Sequence, residues 1–176
     1  LKIHDQPKCA RYCALSEKDR RTIRPEPILE LIIESTRLSD PEVEKYLCFE
    51  NYVVKCSILD ETGKQDVSRK AEEEYRHPNL LVGSDVATAS VVVNLDGGES
   101  CFFIFDDLSC RMQGSYRLKF DLVMINLRNR GTLSGAEKHR PFLATVTSDV
   151  FTTYSAGAFP GVGKRSELAH LLKAKG

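Results

Sequence analysis

The densest run of side chains able to do chemistry lies between Ser16 and Pro25, which reads Ser-Glu-Lys-Asp-Arg-Arg-Thr-Ile-Arg-Pro. An Arg guanidinium can hold a phosphate by two parallel hydrogen bonds or read the major-groove edge of guanine. Lys18 would act beside Arg20, Arg21 and Arg24 as a point charge on a nucleic-acid backbone. A solvated surface explains the same residues, because Glu17 and Asp19 can pair with their neighbours. Exposed pairs of that kind contribute only about 0.2–1 kcal/mol. Residue chemistry alone leaves both readings open.

The other candidates for chemistry fail on spacing. Gly157-Ala158-Phe159-Pro160-Gly161-Val162-Gly163-Lys164 resembles a phosphate-binding loop, but five residues rather than four separate Gly157 from Gly163. Arg165 also stands where a magnesium-binding Ser or Thr would be needed. Asp106 and Asp107 are adjacent, and neighbours on a strand face opposite sides, so they do not converge on one reacting atom. Together they fit a turn ending a strand at Phe105. There is no Gly-x-Ser-x-Gly, His-Glu-x-x-His or Gly-x-Gly-x-x-Gly run. The expectation is a protein without catalytic residues or a cofactor.

Six cysteines are present, yet none forms a Cys-x-x-Cys pair, and His4, His77, His139 and His170 are scattered. Zinc-ligand spacing is therefore missing and no metal site is expected. His4, Cys9 and Cys13 read as one edge strand with inward thiols, packed as small hydrophobes. With no Asn-x-Ser/Thr acceptor either, the thiols are expected to be reduced and the compartment intracellular.

These residues need a scaffold, and the period of the sequence is two almost throughout. Tyr116, Leu118, Phe120, Leu122 and Met124 alternate with Arg117, Lys119 and Asp121, which predicts a half-buried antiparallel strand over Ser115–Leu127. Tyr52, Val54, Cys56 and Ile58 repeat the pattern. Shorter strands are expected at 28–33, 89–95, 101–105, 142–147 and 150–154, each rich in β-branched or aromatic residues. Asp60-Glu61-Thr62-Gly63, Asp96-Gly97-Gly98 and Gln113-Gly114 supply the turns. Pro25 and Pro27 bracket Glu26 and hold an extended lead-in to Ile28. Helix is expected over 166–175, with Leu168, Leu171 and Leu172 on one face, and a charged turn or two over 68–75. The sum is an antiparallel β-sandwich with one short C-terminal helix, forming a single domain over 1–176.

The chain has 176 residues, 41% apolar and 28% charged, and a formal net charge of zero. That composition suits a globular domain and excludes an intrinsically disordered one, and no stretch is long and apolar enough to span a bilayer. The charge is unevenly spread. Residues 1–24 carry seven Lys or Arg against three acids, 126–140 carry four against one, and 161–176 four against one. Residues 40–75 reverse this, with ten acids against five cations. Three basic patches on a neutral chain fit a local polyanion footprint, although charge runs are often only solvated surface. Leu1 at the start suggests a segment trimmed from a longer chain.

Three blocks together resemble the velvet domain of fungal regulatory proteins. They are the run from Phe102 to Phe120 (FFIFDDLSCRMQGSYRLKF), the run from Val150 to Gly161 (VFTTYSAGAFPG), and Gln6-Pro7, Arg11 and Asp19–Ile23 with the Pro25/Pro27 pair. The resemblance implies an immunoglobulin/Rel-like sandwich that binds double-stranded DNA as a homodimer, or as a heterodimer with other velvet-family proteins. It implies a nuclear regulator, with a cytoplasmic pool, of development, sporulation and secondary metabolism. Lys18, Arg20 and Arg21 match the family's DNA-contacting loop. Arg24, Lys8 and Arg11 join them from charge and position. The family also contains members that work through partners, so a protein-interaction scaffold binding DNA weakly or not at all is the alternative. Gly157-Ala158 depart from a Lys pair common in the family, and residues 60–95 match it poorly.

Overall fold

Strand alternation places every second side chain on one face, and the longest strand obeys it. In β10 (Gly114–Met124) the side chains of Leu118, Phe120 and Leu122 are buried, while Arg117, Lys119 and Val123 are only half covered. A computed structural model gives the arrangement for residues 1–13, 20–48, 51–69, 79–93, 98–125, 142–161 and 165–175. The remaining elements are β1 (Lys2–Asp5), β2 (Cys9–Arg11), β3 (Ile28–Leu31), α1 (Asp40–Leu47), β4 (Tyr52–Asp60), β5 (Leu81–Val82) and β6 (Val86–Thr88). They continue with β7 (Ser90–Val93), β8 (Glu99–Ile104), β9 (Ser109–Cys110), β11 (Ala144–Thr147), β12 (Phe151–Tyr154) and α2 (Glu167–Lys175).

Two sheets face each other, in the orders β1-β3-β8-β7 and β2-β12-β10-β4-β6, with β11 also on β10. One edge of β10 pairs with the whole of β4, from Tyr116 opposite Asp60 to Met124 opposite Tyr52. Its other edge is divided between β12 at the start and β11 towards the end. Leu29, Leu31 and Phe103 from one sheet meet Val54, Cys56, Ile58, Leu118, Phe120 and Phe151 from the other. Phe105 and Phe120 cross the gap with ring centroids 5.2 Å apart. Phe103, Phe120 and Phe151 are wholly buried, and covering such a side chain stabilises by roughly 1.5–3 kcal/mol.

The β-sandwich is thus as expected, and several details differ. The pairing of β2 with β12 is parallel, so the sandwich is not purely antiparallel. The strand expected over 89–95 is present as β7, paired with β8, but an unexpected short strand, β6, precedes it and pairs with β4, so the chain switches sheets at a corner at Ala89. The expected edge strand holding His4, Cys9 and Cys13 is likewise split: β1 and β2 belong to different sheets. Asp121, on the expected polar face, is buried and accepts hydrogen bonds from Thr145 Oγ1 at 2.6 Å and an ion pair from Lys119 Nζ at 3.0 Å.

A second helix, α1, joins the expected one. None of its residues is buried, so no apolar stripe marked it in the sequence. Its start is nevertheless well formed, because the Ser39 backbone N–H and hydroxyl both donate to Glu42 Oε2, at 2.9 and 2.8 Å. In α2 the inward residues are Ala169 and Leu172 with Leu168 beside them, while Leu171 is exposed, contrary to expectation. They rest on Ile28, Val92 and Phe102, on the outer face of the four-stranded sheet. Of the expected charged turn over 68–75, residues 70–75 lie outside the described residues. So do Leu95 and the turn residues Asp96 and Gly97.

Candidate functional site

Residues 8–11 and 20–26 lie side by side because backbone hydrogen bonds force them together. Lys8 N and Cys9 N both donate to Arg24 O at 2.9 Å, and Arg24 N returns a bond to Cys9 O at 2.8 Å. Ile23 is buried, and its N–H donates to Leu108 O at 2.7 Å, so the chain after Arg21 is pinned to the body rather than free as a loop. The Arg24-Pro25 peptide bond is cis. Of the six expected contact residues, Lys8, Arg11, Arg20, Arg21 and Arg24 are thereby brought into one neighbourhood. Lys18 lies outside the described residues.

Their partners distinguish them. Lys8 and Arg21 are exposed, and Arg11 is half-covered in β2. Arg20 donates from one Nη2 to Asp107, to its carbonyl oxygen at 2.6 Å and to its carboxylate. That contact depends on Gly83. Its φ is +106°, and a Cβ there would stand 2.0 Å from Asp107 O and 2.9 Å from Arg20 Nη2. Arg24 donates from Nη1 to Glu26 Oε1, deep against the body. Partial burial lowers the Arg24 pKa, the nearby Arg165 lowers it further, and Asp106 opposes both. Burial likewise raises the Cys9 thiol, with Lys8 pulling the other way.

Glu26 is the unexpected centre. It is 1% exposed, and the same Oε1 that takes Arg24 also accepts Arg165 Nε at 2.5 Å. A third tie follows one helical stretch later, where Lys173 Nζ reaches Asp106 Oδ2 at 2.5 Å. Asp106 and Asp107 therefore point to different partners and do not form a joint acid–base pair. Two of the three basic patches in the sequence, residues 1–24 and 161–176, consequently meet at one place. The third, 126–140, lies outside the described residues. Four cations (Arg20, Arg24, Arg165, Lys173) pair with three carboxylates there, and Lys8, Arg11 and Arg21 stand on the adjoining segments, while the chain as a whole carries no formal net charge. Such a local excess draws polyanions.

Sequence reasoning missed Arg165, Lys173, Glu26 and Gly83 as parts of this site. The lone Glu between two prolines, and the positive tail, were the available signals, but nothing in the sequence joined them. All six cysteines are free thiols. Burial raises Cys101 to about 11 and Cys110 to about 12, so both remain protonated and poorly nucleophilic at neutral pH.

The whole chain matches the Velvet factor family, over residues 1–79 and 68–176. It is 43% identical over its full length to "Spore development regulator vosA" of Beauveria bassiana, of which it covers 63%. It is also 43% identical to "Sexual development regulator velC" of Gibberella moniliformis, covering 37% of that protein. A third relative, 28% identical over the full chain, is "Developmental and secondary metabolism regulator VEL1" of Botryotinia fuckeliana, of which 33% is covered. The chain thus spans between one third and two thirds of these relatives' lengths.

Proposed function

This chain belongs to the velvet family, and from that premise we propose that it is a sequence-specific DNA-binding regulator of development, sporulation and secondary metabolism. In this reading residues 1–176 are a single velvet domain with no catalytic step. It works in the nucleus, with a cytoplasmic pool, as a homodimer or as a heterodimer with other velvet-family proteins. The names of its relatives, all regulators of spores, sexual development or secondary metabolism, support the regulatory role.

One observation carries the DNA reading: the convergence of the two basic ends of the chain around Glu26, Asp106 and Asp107. Lys8, Arg11, Lys18, Arg20, Arg21 and Arg24 are the proposed contacts. Phosphates would be held by the cations that face outward, and the base sequence read by the few Arg that reach base edges. Pairing with Asp107 fixes the position of the Arg20 head.

The scaffold reading draws on two other features. Arg20 and Arg24 already hold protein carboxylates. Met124, Ile125, Phe142 and Leu143 expose between 39% and 56% of their surface at one end of the second sheet, which suits a protein partner. Duplex binding measured by anisotropy at several salt concentrations separates the two. The DNA reading expects specific binding, and a Lys18→Ala/Arg20→Ala/Arg21→Ala variant whose log–log salt slope is flatter by about 0.9 per lost phosphate contact. No specific binding by the wild type, or an unchanged slope in the variant, favours the scaffold.

A further inference from the structure

We infer that Glu26 is a positioning residue of this nucleic-acid surface, holding Arg24 and Arg165 as one preformed two-guanidinium unit. The inference rests on the DNA reading above and deepens it. Arg24 lies two residues from Glu26 and Arg165 lies 139 residues from it, yet both donate to the single atom Oε1. The other oxygen, Oε2, is buried and has no hydrogen-bond partner among the described residues. A carboxylate placed only for its own solvation would not leave one oxygen bare and load two cations on the other. Burying it is unfavourable unless cations compensate, and here one negative charge faces two positive ones, leaving a net positive unit at the rim.

Neither side chain is fully covered, with 18% of the Arg24 and 26% of the Arg165 side chain exposed. Each gives Glu26 one N–H of the five that a guanidinium carries. The two cations also repel one another, as the effect of Arg165 on Arg24 records. Without the carboxylate they would separate. Pro25 and Pro27 stiffen the backbone on both sides of Glu26, so the anchor itself moves little. A phosphate meeting this pair would lose less conformational freedom than one that had to gather two loose Arg side chains.

Charge counting and positioning predict opposite signs, which makes the test decisive. Glu26→Gln makes the protein one unit more positive, so simple electrostatics expects equal or tighter binding. Positioning expects weaker binding, by roughly tenfold near 0.15 M salt. The probe is a labelled duplex selected by the wild-type protein from a random-sequence pool, and binding is read by anisotropy beside a thermal melt of each variant. Glu26→Asp keeps the charge on a shorter arm and should recover part of the loss. Arg165→Gln keeps the Arg24–Glu26 pair and should flatten the salt slope by about 0.9. If Glu26→Gln does not fold, Glu26→Asp and Arg165→Gln decide: wild-type affinity and slope in both overturn the inference. Glu26→Gln that folds and binds as tightly as wild type, or more tightly, also overturns it while leaving the DNA reading intact. A wild type that selects no duplex removes both.

Discussion

Between the two sheets, Phe103, Phe120 and Phe151 are sealed by apolar neighbours from both sides. Beneath α2, among the described residues, only Ile28, Val92, Phe102, Ala169 and Leu172 are buried together, and the helix is tied at its margins by Arg165 to Glu26 and Lys173 to Asp106. The first region is held by apolar contact alone and needs no particular ionic condition. The second combines a thin apolar seat with partly exposed ion pairs, which salt weakens. The lesson is a division of labour: the inter-sheet core fixes the shape, and the charged margin is where an anionic partner can act on the molecule.

The largest effect should come from Phe120→Ala, which leaves a cavity beside Phe105. A loss of about 3–5 kcal/mol is expected, lowering the melting temperature by roughly 10 °C, with little dependence on salt. Leu172→Ala should cost less, about 2 kcal/mol, and should raise amide exchange along 167–175 before the sheets respond. If it destabilised the whole protein as much as Phe120→Ala, the contrast between the regions would be broken.

Gly83→Ala sits between the two regions. The strained φ and the clash with Asp107 O should cost about 1–3 kcal/mol and displace Arg20, so duplex binding should weaken together with stability. The smallest effect belongs to Asp60 in the β4 turn. The Thr62 hydroxyl, then the Gln65, Lys64 and Gly63 backbone N–H groups, hold its carboxyl below the usual carboxylate range. Its folded-state pKa is depressed, so its stabilisation is present above the unfolded value and is lost as pH falls through the folded one. Asp60→Asn should therefore shrink the acid-side loss of stability slightly, read as urea midpoints from about pH 7 down to about pH 3.

Alternation made the sheets legible. Leu118, Phe120 and Leu122 on β10, and Val54, Cys56 and Ile58 on β4, fall on the buried side that period two assigns them. The Asp60–Gly63 turn also reads from its residues, with Gly63 at φ +74°. What stayed hidden depends on tertiary contact. Nothing in the run from Val86 to Val93 says that it changes sheet at Ala89, because both halves are β-branched and apolar. The helix α1 has no buried face to give it a period. At the site, Lys8, Arg11, Arg20, Arg21 and Arg24 were legible from charge, whereas Glu26 became significant only once Arg165 was found against it. Pairings across 139 residues are set by the fold and leave no local pattern.

The central claim is that the two basic ends of the chain form one surface for a polyanion. Hydrogen–deuterium exchange with and without a bound duplex tests it most directly. Protection is predicted at residues 8–11 and 20–24 and, in the same complex, along 165–173. Protection confined to α1 and the acidic side of the molecule, or an α2 whose exchange does not change while 8–24 are covered, would contradict it.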